Sequence, residues 1–206
     1  MNTKSLVAED LPRKNNISKV NKKKKHNSLS IVFFSRITSI KNLKYAIEIV
    51  SQLRGNINFT ILGIIEDHGY WEECKKLLNT LPDNILWSYS GEIDTQNVIT
   101  ELRKYDVLIL PTKGENYGHV IFEALSSGCI PIISDRTPWQ ELDKYKCGNV
   151  INLDMPTKFI EALESYSAMG QYTFQEYSDS AINYAISKQK ESIERTSYRE
   201  IFNLQN

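Results

Sequence analysis

The sequence predicts one α/β domain built on a single doubly wound, Rossmann-like parallel sheet. A length of 206 residues, 41% of them apolar, suffices for one well-buried core but is short for two. Short continuous apolar runs alternate with amphipathic stretches, which is typical of a parallel sheet covered by helices on both faces. Right-handed crossovers between such strands place ligands beyond the carboxyl ends of the strands.

Six apolar runs are predicted strands. They are residues 31–34, 59–62, 85–89, 107–110, 130–133 and, as a weaker sixth, 149–152. Helical patterns lie between them, clearest in residues 43–53, 71–78 and 98–102. The predicted order is therefore strand, helix, strand, helix throughout. The last stretch, residues 174–202, is predicted to be a polar helix with scattered aromatics that extends away from the sheet.

The charges are distributed unevenly, although the formal net charge is zero. Residues 1–27 carry eight Lys or Arg against two acids, and the remainder carries 17 against 23. We therefore predict a basic, flexible linker (residues 1–27), a sheet domain (28–170) and a helical extension (171–206). Two interpretations stay open for Lys22, Lys23, Lys24 and Lys25: a solvated linker, and peripheral contact with the anionic inner face of a membrane.

Several classes of protein are disfavoured by composition and motifs. No run approaches 18 apolar residues and the first ten residues lack an apolar core, so a soluble, cytoplasmic protein is expected. The widely spaced Cys74, Cys129 and Cys147 are predicted to be reduced and buried. Zinc-ligand spacing, a D-x-D pair, a phosphate-loop motif and G-x-G-x-x-G are all missing, so we expect no metal and no dinucleotide. The basic cluster lacks interleaved aromatics, which argues against nucleic acid.

The turn after the first predicted strand carries two cations. Arg36 follows the strand immediately, and Lys41 stands just before the next helix. A forked guanidinium and a compact ammonium on one rim suit a diphosphate. A solvated Arg and Lys in an ordinary loop is the competing interpretation.

The turn after the fourth predicted strand is the more informative one. Gly118 allows a ligand to approach the backbone, and the free N–H groups at the start of the helix that follows can hold phosphate oxygens. Glu115, in the loop, can accept hydrogen bonds from sugar hydroxyls. Glu123, flanked by apolar residues on the helix, is expected to be half-buried and to need a donor such as a ribose hydroxyl.

Together these residues resemble a known family. Arg36 with Lys41, Glu115 and Glu123 separated by seven residues, and the segment 128–134 are similar to the carboxyl-terminal, donor-binding domain of retaining group 1 (family 4 type) glycosyltransferases of GT-B fold. The resemblance covers about residues 28–170. It implies that the chain is the carboxyl-terminal half of a GT-B fold.

The resemblance implies a role for each matching residue. Arg36 and Lys41 would neutralise the donor diphosphate and stabilise the leaving group, and with Glu115, against the donor sugar, they form the predicted catalytic set. The predicted donor-binding residues are Gly63, Gly91, Asn116, Tyr117, Gly118, His119 and Glu123. Within that set, Glu123 would hold the ribose and Gly91 would lie beside the base. On these roles, loss of Glu115 should leave the affinity for a bare diphosphate nearly unchanged.

The chain also departs from the family pattern. Ser35 replaces a Gly before the Arg, Asn42 replaces a Gly after the Lys, and the turn 63–66 lacks a second Gly. The family's first, acceptor-binding Rossmann domain has no counterpart here, and residues 6–12 resemble the segment that joins the two domains. We therefore expect a fragment, a truncated product, or a subunit that needs a separate amino-terminal acceptor-domain subunit.

The resemblance implies an enzyme that transfers a sugar, with retention, from a nucleotide-diphosphate sugar to a glycan, lipid-linked or small-molecule acceptor. Polysaccharide or glycoconjugate biosynthesis is the expected setting, with neither cofactor nor metal. Two alternatives stay open: a non-catalytic nucleotide-binding or interaction module, and, less favoured, an unrelated doubly wound domain of receiver or flavodoxin type.

Overall fold

The computed structural model describes residues 17–194 and contains one six-stranded, fully parallel sheet. The strands are β1 (Ser28–Phe34), β2 (Asn56–Leu62), β3 (Ile85–Tyr89), β4 (Val107–Leu110), β5 (Ile130–Ser134) and β6 (Asn149–Ile151). The helices are α1 (Leu43–Val50), α2 (His68–Leu78), α3 (Val98–Leu102), α4 (His119–Ser126), α5 (Pro156–Ala168) and α6 (Gln171–Glu194). All six predicted strands are confirmed.

The sheet is doubly wound, with the order β3-β2-β1-β4-β5-β6. One helical layer contains α1 packed against α2 and α5, and the other contains α4 packed against α3 and α6. Every residue of β4 and β5 is buried, which explains why these strands are apolar at successive positions. Successive strands are added in one direction from β1 to β3 and in the opposite direction from β4 to β6. The carboxyl ends of the neighbouring strands β1 and β4 therefore open a crevice.

Two features differ from the predicted alternation of strands and helices. Residues 135–148, between β5 and β6, form turns without a helix. Lys146 there has a left-handed φ of 49°, and a Cβ at Gly148 would lie 2.4 Å from the carbonyl oxygen of Pro131, so the chain is folded tightly onto the strand. The helix α5, which begins with a proline in its first turn, was not predicted.

The last described helix, α6, packs on the domain and does not extend away from it. Phe174, Ala181 and Ala185 are fully buried, and α6 contacts both α4 and β5. The Ser178 hydroxyl donates to the carbonyl oxygen of Gly128 at 2.9 Å. The predicted continuation of this helix to residue 202 and the segment 6–12 lie outside the described residues.

Residues 17–26, which we call the N-terminal strap, lie along α6. The backbone N–H of Lys22 donates to Gln175 Oε1 at 2.9 Å, and Gln175 Nε2 donates to the Val20 carbonyl at 2.8 Å. Gln171 repeats the arrangement, accepting from the N–H of Lys24 at 2.7 Å and donating to the Lys22 carbonyl at 2.6 Å. Two glutamine side chains thus hold the strap as a neighbouring strand would.

The strap buries two of its four consecutive lysines. Lys22 is 6% exposed and donates to the carbonyl oxygens of Arg103 at 3.0 Å and Tyr105 at 2.6 Å, next to the end of α3. Lys24 is 8% exposed, and its ammonium donates to the carbonyl oxygens of Lys25, Ser28 and Ser167. Burial lowers the pKa of both ammonium groups. The flexible-linker and membrane-contact interpretations are therefore wrong for these two lysines, whose charge is turned inward.

The three cysteines are buried and free, as predicted. Burial raises the pKa of the Cys74 thiol to about 11 and that of Cys129 and Cys147 to about 12. These residues are small core side chains and not reactive nucleophiles. Between residues 17 and 194, no helix has the length and apolar content that crossing a membrane requires.

Candidate functional site

A cleft of about 470 Å³ opens at the carboxyl ends of β1 and β4, where the sheet reverses its winding. Its walls are the turns that follow β1, β2, β3 and β4. Nine of the ten predicted site residues line it: Arg36, Lys41, Gly63, Glu115, Asn116, Tyr117, Gly118, His119 and Glu123. The tenth, Gly91, is not part of the lining, but its carbonyl accepts a 2.7 Å hydrogen bond from the N–H of the lining residue Gly63.

Position 63 must be glycine because the turns after β1 and β2 approach each other closely there. Its φ is 126°, and a Cβ there would lie 2.0 Å from the carbonyl oxygen of Ser35. Next to it, the N–H of Ile37 donates to the carbonyl of Ile64 at 2.8 Å. The turns after β1 and β2 are therefore held together, which leaves the expected contact of Gly63 with a ligand as a prediction.

Asn42 explains one departure from the family pattern. It precedes α1 with a left-handed φ of 64°, a conformation that Asn tolerates better than other residues with side chains. Its amide Nδ2 donates to the carbonyl oxygen of Pro111 at 3.0 Å, at the start of the β4–α4 loop (residues 111–118). Asn42 therefore keeps the backbone shape of a glycine and ties the turn after β1 to that loop.

The β4–α4 loop ends at Gly118, which caps α4 with a φ of 79°. A Cβ at Gly118 would lie 2.8 Å from Cδ1 of Ile121, so both space and conformation favour glycine. Since α4 begins at His119, the N-terminal end of its dipole faces the cleft, as predicted. This end of the cleft suits an anion.

Trp139, which sequence reasoning missed, supports the same loop from the turn after β5. It is 6% exposed, and its indole N–H donates to the Tyr117 carbonyl at 2.5 Å. Its ring centroid lies 5.6 Å from that of Tyr117, edge to face, and 6.2 Å from that of Phe122. Tyr117 in turn lies 4.8 Å from the His119 ring. A tryptophan in an otherwise polar turn directly after a buried strand was the available signal.

Both predicted cations are engaged by carboxylates. Lys41 Nζ lies 2.6 Å and 2.9 Å from the two carboxylate oxygens of Glu115, and the side chains are only 11% and 14% exposed. Arg36 Nη1 lies 3.0 Å and 2.9 Å from the carboxylate oxygens of Glu66, with side chains 64% and 47% exposed. Glu66 was also missed, although it stands in the turn that lacks the second glycine.

The other end of the cleft is more apolar. Ile64, Ile93 and Val98 line it together with the polar Glu92 and Thr95. Apolar side chains of this kind suit the faces of a flat ring, and the polar groups suit its edge. None of these five residues was predicted, because they become neighbours only when β2 and β3 pair.

Glu123, on α4, is 7% exposed and more deeply buried than the expected half. It lines the cleft close to the start of the helix. Within the described part of the chain, no three His, Cys, Asp or Glu side chains are grouped as metal ligands. Independence of metal stays a prediction.

The fold and the cleft define the class: a doubly wound α/β domain whose switch-point cleft combines two cations, a helix N-terminus and three glutamate side chains. The sequence also matches the family model of glycosyl transferases group 1 over residues 14–188. The chain therefore belongs to the group 1 glycosyltransferase family, and the alternative of an unrelated receiver or flavodoxin-type domain is wrong.

Solved structures share the fold. A glycosyltransferase from Rickettsia africae is similar with a TM-score of 0.72 and 19% identity, over 88% of this chain and 50% of that one. Anabaena HepE, solved with UDP and glucose, gives 0.69 and 15% over 84% and 49%. The catalytic domain of a Helicobacter pylori cholesterol-α-glucosyltransferase gives 0.64 and 13% over 77% and 98%.

At these identities the structural likeness concerns the fold alone. The chain spans about half the length of the Rickettsia and Anabaena proteins. No curated protein sequence matches it significantly.

Proposed function

We propose that this chain is the donor-binding half of a retaining glycosyltransferase that uses a nucleotide-diphosphate sugar. The observation that carries the proposal is the convergence of two cations, a helix N-terminus and two motif glutamates in one switch-point cleft. They are Arg36, Lys41, the start of α4, Glu115 and Glu123. Anabaena HepE, a protein of the same fold, was solved in complex with UDP and glucose.

The diphosphate is assigned to the end of the cleft between the turn after β1 and the start of α4. A diphosphate carries several unit charges and many acceptor oxygens, so it needs cationic donors together with backbone N–H groups. Arg36 and Lys41 come from the first of these elements, and the N–H groups beyond Gly118 come from the second. Because the protein supplies these positive groups itself, we expect binding without metal.

The rest of the donor follows from this placement. Glu123, buried next to the start of α4, is the acceptor for the ribose hydroxyls, and the apolar end lined by Ile64, Ile93 and Val98 takes the base. Glu115 lies in the β4–α4 loop on the sugar side, where its carboxylate can accept from sugar hydroxyls. Gly91 supports the base end through its hydrogen bond with Gly63.

The reaction is a transfer of one glycosyl group. The bond between the anomeric carbon and the β-phosphate oxygen breaks, and its electron pair stays on the diphosphate. The acceptor hydroxyl oxygen bonds to the same face of the anomeric carbon, and its proton passes to the departing diphosphate. Arg36 and Lys41 stabilise the charge that develops on the leaving group, and Glu115 orients the sugar.

Acceptor binding is assigned to a second Rossmann-type domain, either in the same polypeptide or in a separate subunit. This chain spans only about half of the Rickettsia and Anabaena proteins. A bound donor needs an acceptor hydroxyl held within reach, and that requires a second wall across the open cleft. The acceptor is a glycan, a lipid-linked sugar or a small molecule.

Binding of nucleotide is the first test. We expect calorimetry with UDP, GDP and ADP in the presence of a chelator to detect binding of at least one of them, with a dissociation constant of about 1 mM or lower. Failure of all three at millimolar concentration, by a chain that melts cooperatively, would contradict the assignment of the cleft to a nucleoside diphosphate.

Transfer is the second test. The chain alone should transfer no sugar, whereas the chain joined to an acceptor domain should do so, with the product keeping the anomeric configuration of the donor by NMR. Nucleotide binding without transfer in the joined protein would favour the alternative of a non-catalytic nucleotide-binding module.

A further inference from the structure

Both cations of the cleft carry a protein carboxylate at the position where a phosphate oxygen is expected. Lys41 contacts both oxygens of Glu115, and Arg36 contacts both oxygens of Glu66. A carboxylate and a phosphate offer the same kind of acceptor, two or three oxygens that share a negative charge. A bound diphosphate and these two carboxylates therefore compete for the same donors.

The two ion pairs join elements on opposite sides of the cations. Lys41 stands at the end of the turn after β1, and Glu115 reaches it from the β4–α4 loop, across the switch point of the sheet. Glu66 reaches Arg36 from the turn between β2 and α2. Arg36 and Lys41, both between β1 and α1, are thus each held by a different neighbouring turn.

The pairs differ in strength because they differ in exposure. The Lys41–Glu115 side chains are 11% and 14% exposed, so water and salt screen their attraction weakly. The Arg36–Glu66 side chains are 64% and 47% exposed, which makes this pair weak and sensitive to salt. A diphosphate therefore displaces Glu66 easily and Glu115 with more difficulty.

We propose that Glu115 and Glu66 act as internal competitors of the diphosphate, so that donor binding is an exchange of phosphate oxygens for carboxylates on Lys41 and Arg36. The exchange frees the Glu115 carboxylate at the moment when the sugar arrives beside it. This inference rests on the proposed function of the cleft. It assigns Glu66 as the carboxylate that occupies Arg36 before the donor binds, and it gives Glu115 a second role before it contacts the sugar.

The exchange predicts an effect opposite to the one that the family resemblance implies. If Glu115 contacted only the donor sugar, its neutralisation would leave the affinity for a bare diphosphate unchanged. If Glu115 occupies Lys41, the Glu115→Gln variant should bind a bare nucleoside diphosphate more tightly than the wild type. The same variant should still be impaired with an intact sugar donor, because the amide is a weaker acceptor for the sugar hydroxyls.

The test is calorimetry with UDP, GDP and ADP on wild type, Glu115→Gln and Glu66→Gln. We expect Glu115→Gln to tighten binding about three- to tenfold, and Glu66→Gln up to about threefold, with the Glu66 effect lost at 0.5 M salt. Asp94→Asn is the matched control, because the exposed Asp94 stands between two lining residues, Ile93 and Thr95, and does not itself line the cleft. It measures the gain from removing one negative charge alone, and Glu115→Gln should exceed it.

Coupling to Lys41 separates exchange from a general charge effect. In a Lys41→Gln background, the gain from Glu115→Gln should fall to that of the Asp94→Asn control. Thermal unfolding of each variant checks the fold. Glu66→Gln should change the stability little, because the Glu66 side chain is exposed.

The outcomes distinguish the two proposals. Binding by the wild type with no gain in Glu115→Gln beyond the control would overturn the exchange and leave the proposed function standing. Absence of binding in the wild type and in both variants would overturn the proposed function itself.

Discussion

Buried lysines occur in two regions of this domain, and their partners differ in kind. In the N-terminal strap, Lys22 and Lys24 are 6% and 8% exposed and donate to backbone carbonyl oxygens. In the cleft, Lys41 is 9% exposed and donates to the carboxylate of Glu115. Exposure is nearly the same at the three positions, so burial alone does not separate the strap lysines from the lysine proposed to bind the donor.

The partner does separate them. A backbone carbonyl is fixed by the fold and carries no net charge, so the ammonium that it holds is part of the packing and has no reason to exchange partners. A side-chain carboxylate can move away and be replaced by a ligand of equal charge. We therefore expect Lys22 and Lys24 to act as structural clamps, and Lys41 to exchange its carboxylate partner for an anion.

The largest expected effect is the loss of stability on removing a strap lysine. Lys22→Ala leaves the carbonyl oxygens of Arg103 and Tyr105 without their donor and removes the buried stem, so the free energy of unfolding should fall by about 2 to 4 kcal/mol. Urea unfolding measures it. The exposed Lys23, changed to Ala, should shift it by less than about 0.5 kcal/mol. Equal effects at the two positions would show that Lys22 is not a clamp.

Lys41→Ala should act on binding more than on stability. It removes the proposed charge-assisted contact with the diphosphate, so affinity for a nucleoside diphosphate should fall by about 1 to 3 kcal/mol, and Arg36→Ala should act in the same direction. Calorimetry measures both variants, and Lys22→Ala, studied below its melting temperature, should retain the wild-type affinity. A loss of affinity in Lys22→Ala as large as that in Lys41→Ala would remove the distinction between the regions.

Glu123 extends the comparison of buried charged residues to an acid, because it is 7% exposed and lines the cleft. Glu123→Ala should lower affinity for the bare diphosphate and for the sugar donor by similar factors, about 1 to 2 kcal/mol, since its assigned partner is the ribose that both ligands contain. Calorimetry with the two ligands measures the ratio. A loss confined to the sugar donor would assign Glu123 to the sugar instead.

The smallest expected effect is the pH dependence that Lys22 contributes to stability. Burial holds the pKa of Lys22 below its ordinary value of 10.5, so between the native value and 10.5 the unfolded chain binds more protons than the folded chain. The free energy of unfolding should therefore rise with pH in this window by up to about 1.4 kcal/mol per pH unit from this group.

Lys22→Met keeps the apolar stem and should abolish that rise. Urea unfolding of wild type and variant at pH 8, 9 and 10 measures the difference between them, which should grow with pH in favour of the wild type. A difference that shrinks as pH increases would contradict the burial of a charged ammonium.

The strands were predictable because each contains a short apolar run, a local pattern that can be recognised without knowing the neighbouring elements of the fold. β4 and β5 are buried at every position, so their sequences carry the signal of a two-sided core without any knowledge of neighbours. The turn between β5 and β6 was not predictable as such, because its shape depends on the contact of Gly148 with the Pro131 carbonyl.

The cleft was predictable in its members and not in their pairing. Parallel strands bring the turns after β1 and β4 to the same edge, so Arg36, Lys41, Glu115 and Glu123 were expected to converge. That Lys41 contacts Glu115 and Arg36 contacts Glu66 depends on side chains from separate turns, which sequence spacing does not encode. Trp139 was missed for the same reason.

The sequence by itself determined the fold class, the six strands and the chemical character of the cleft, because apolar periodicity and residue type are local properties. The tertiary structure alone decided which charges meet. The four strap lysines are identical as a run, yet Lys22 and Lys24 are buried against carbonyl oxygens while Lys23 and Lys25 face water. The reason is that an extended segment packed on a helix turns alternate side chains inward, and the packing partner is more than a hundred residues away in the chain.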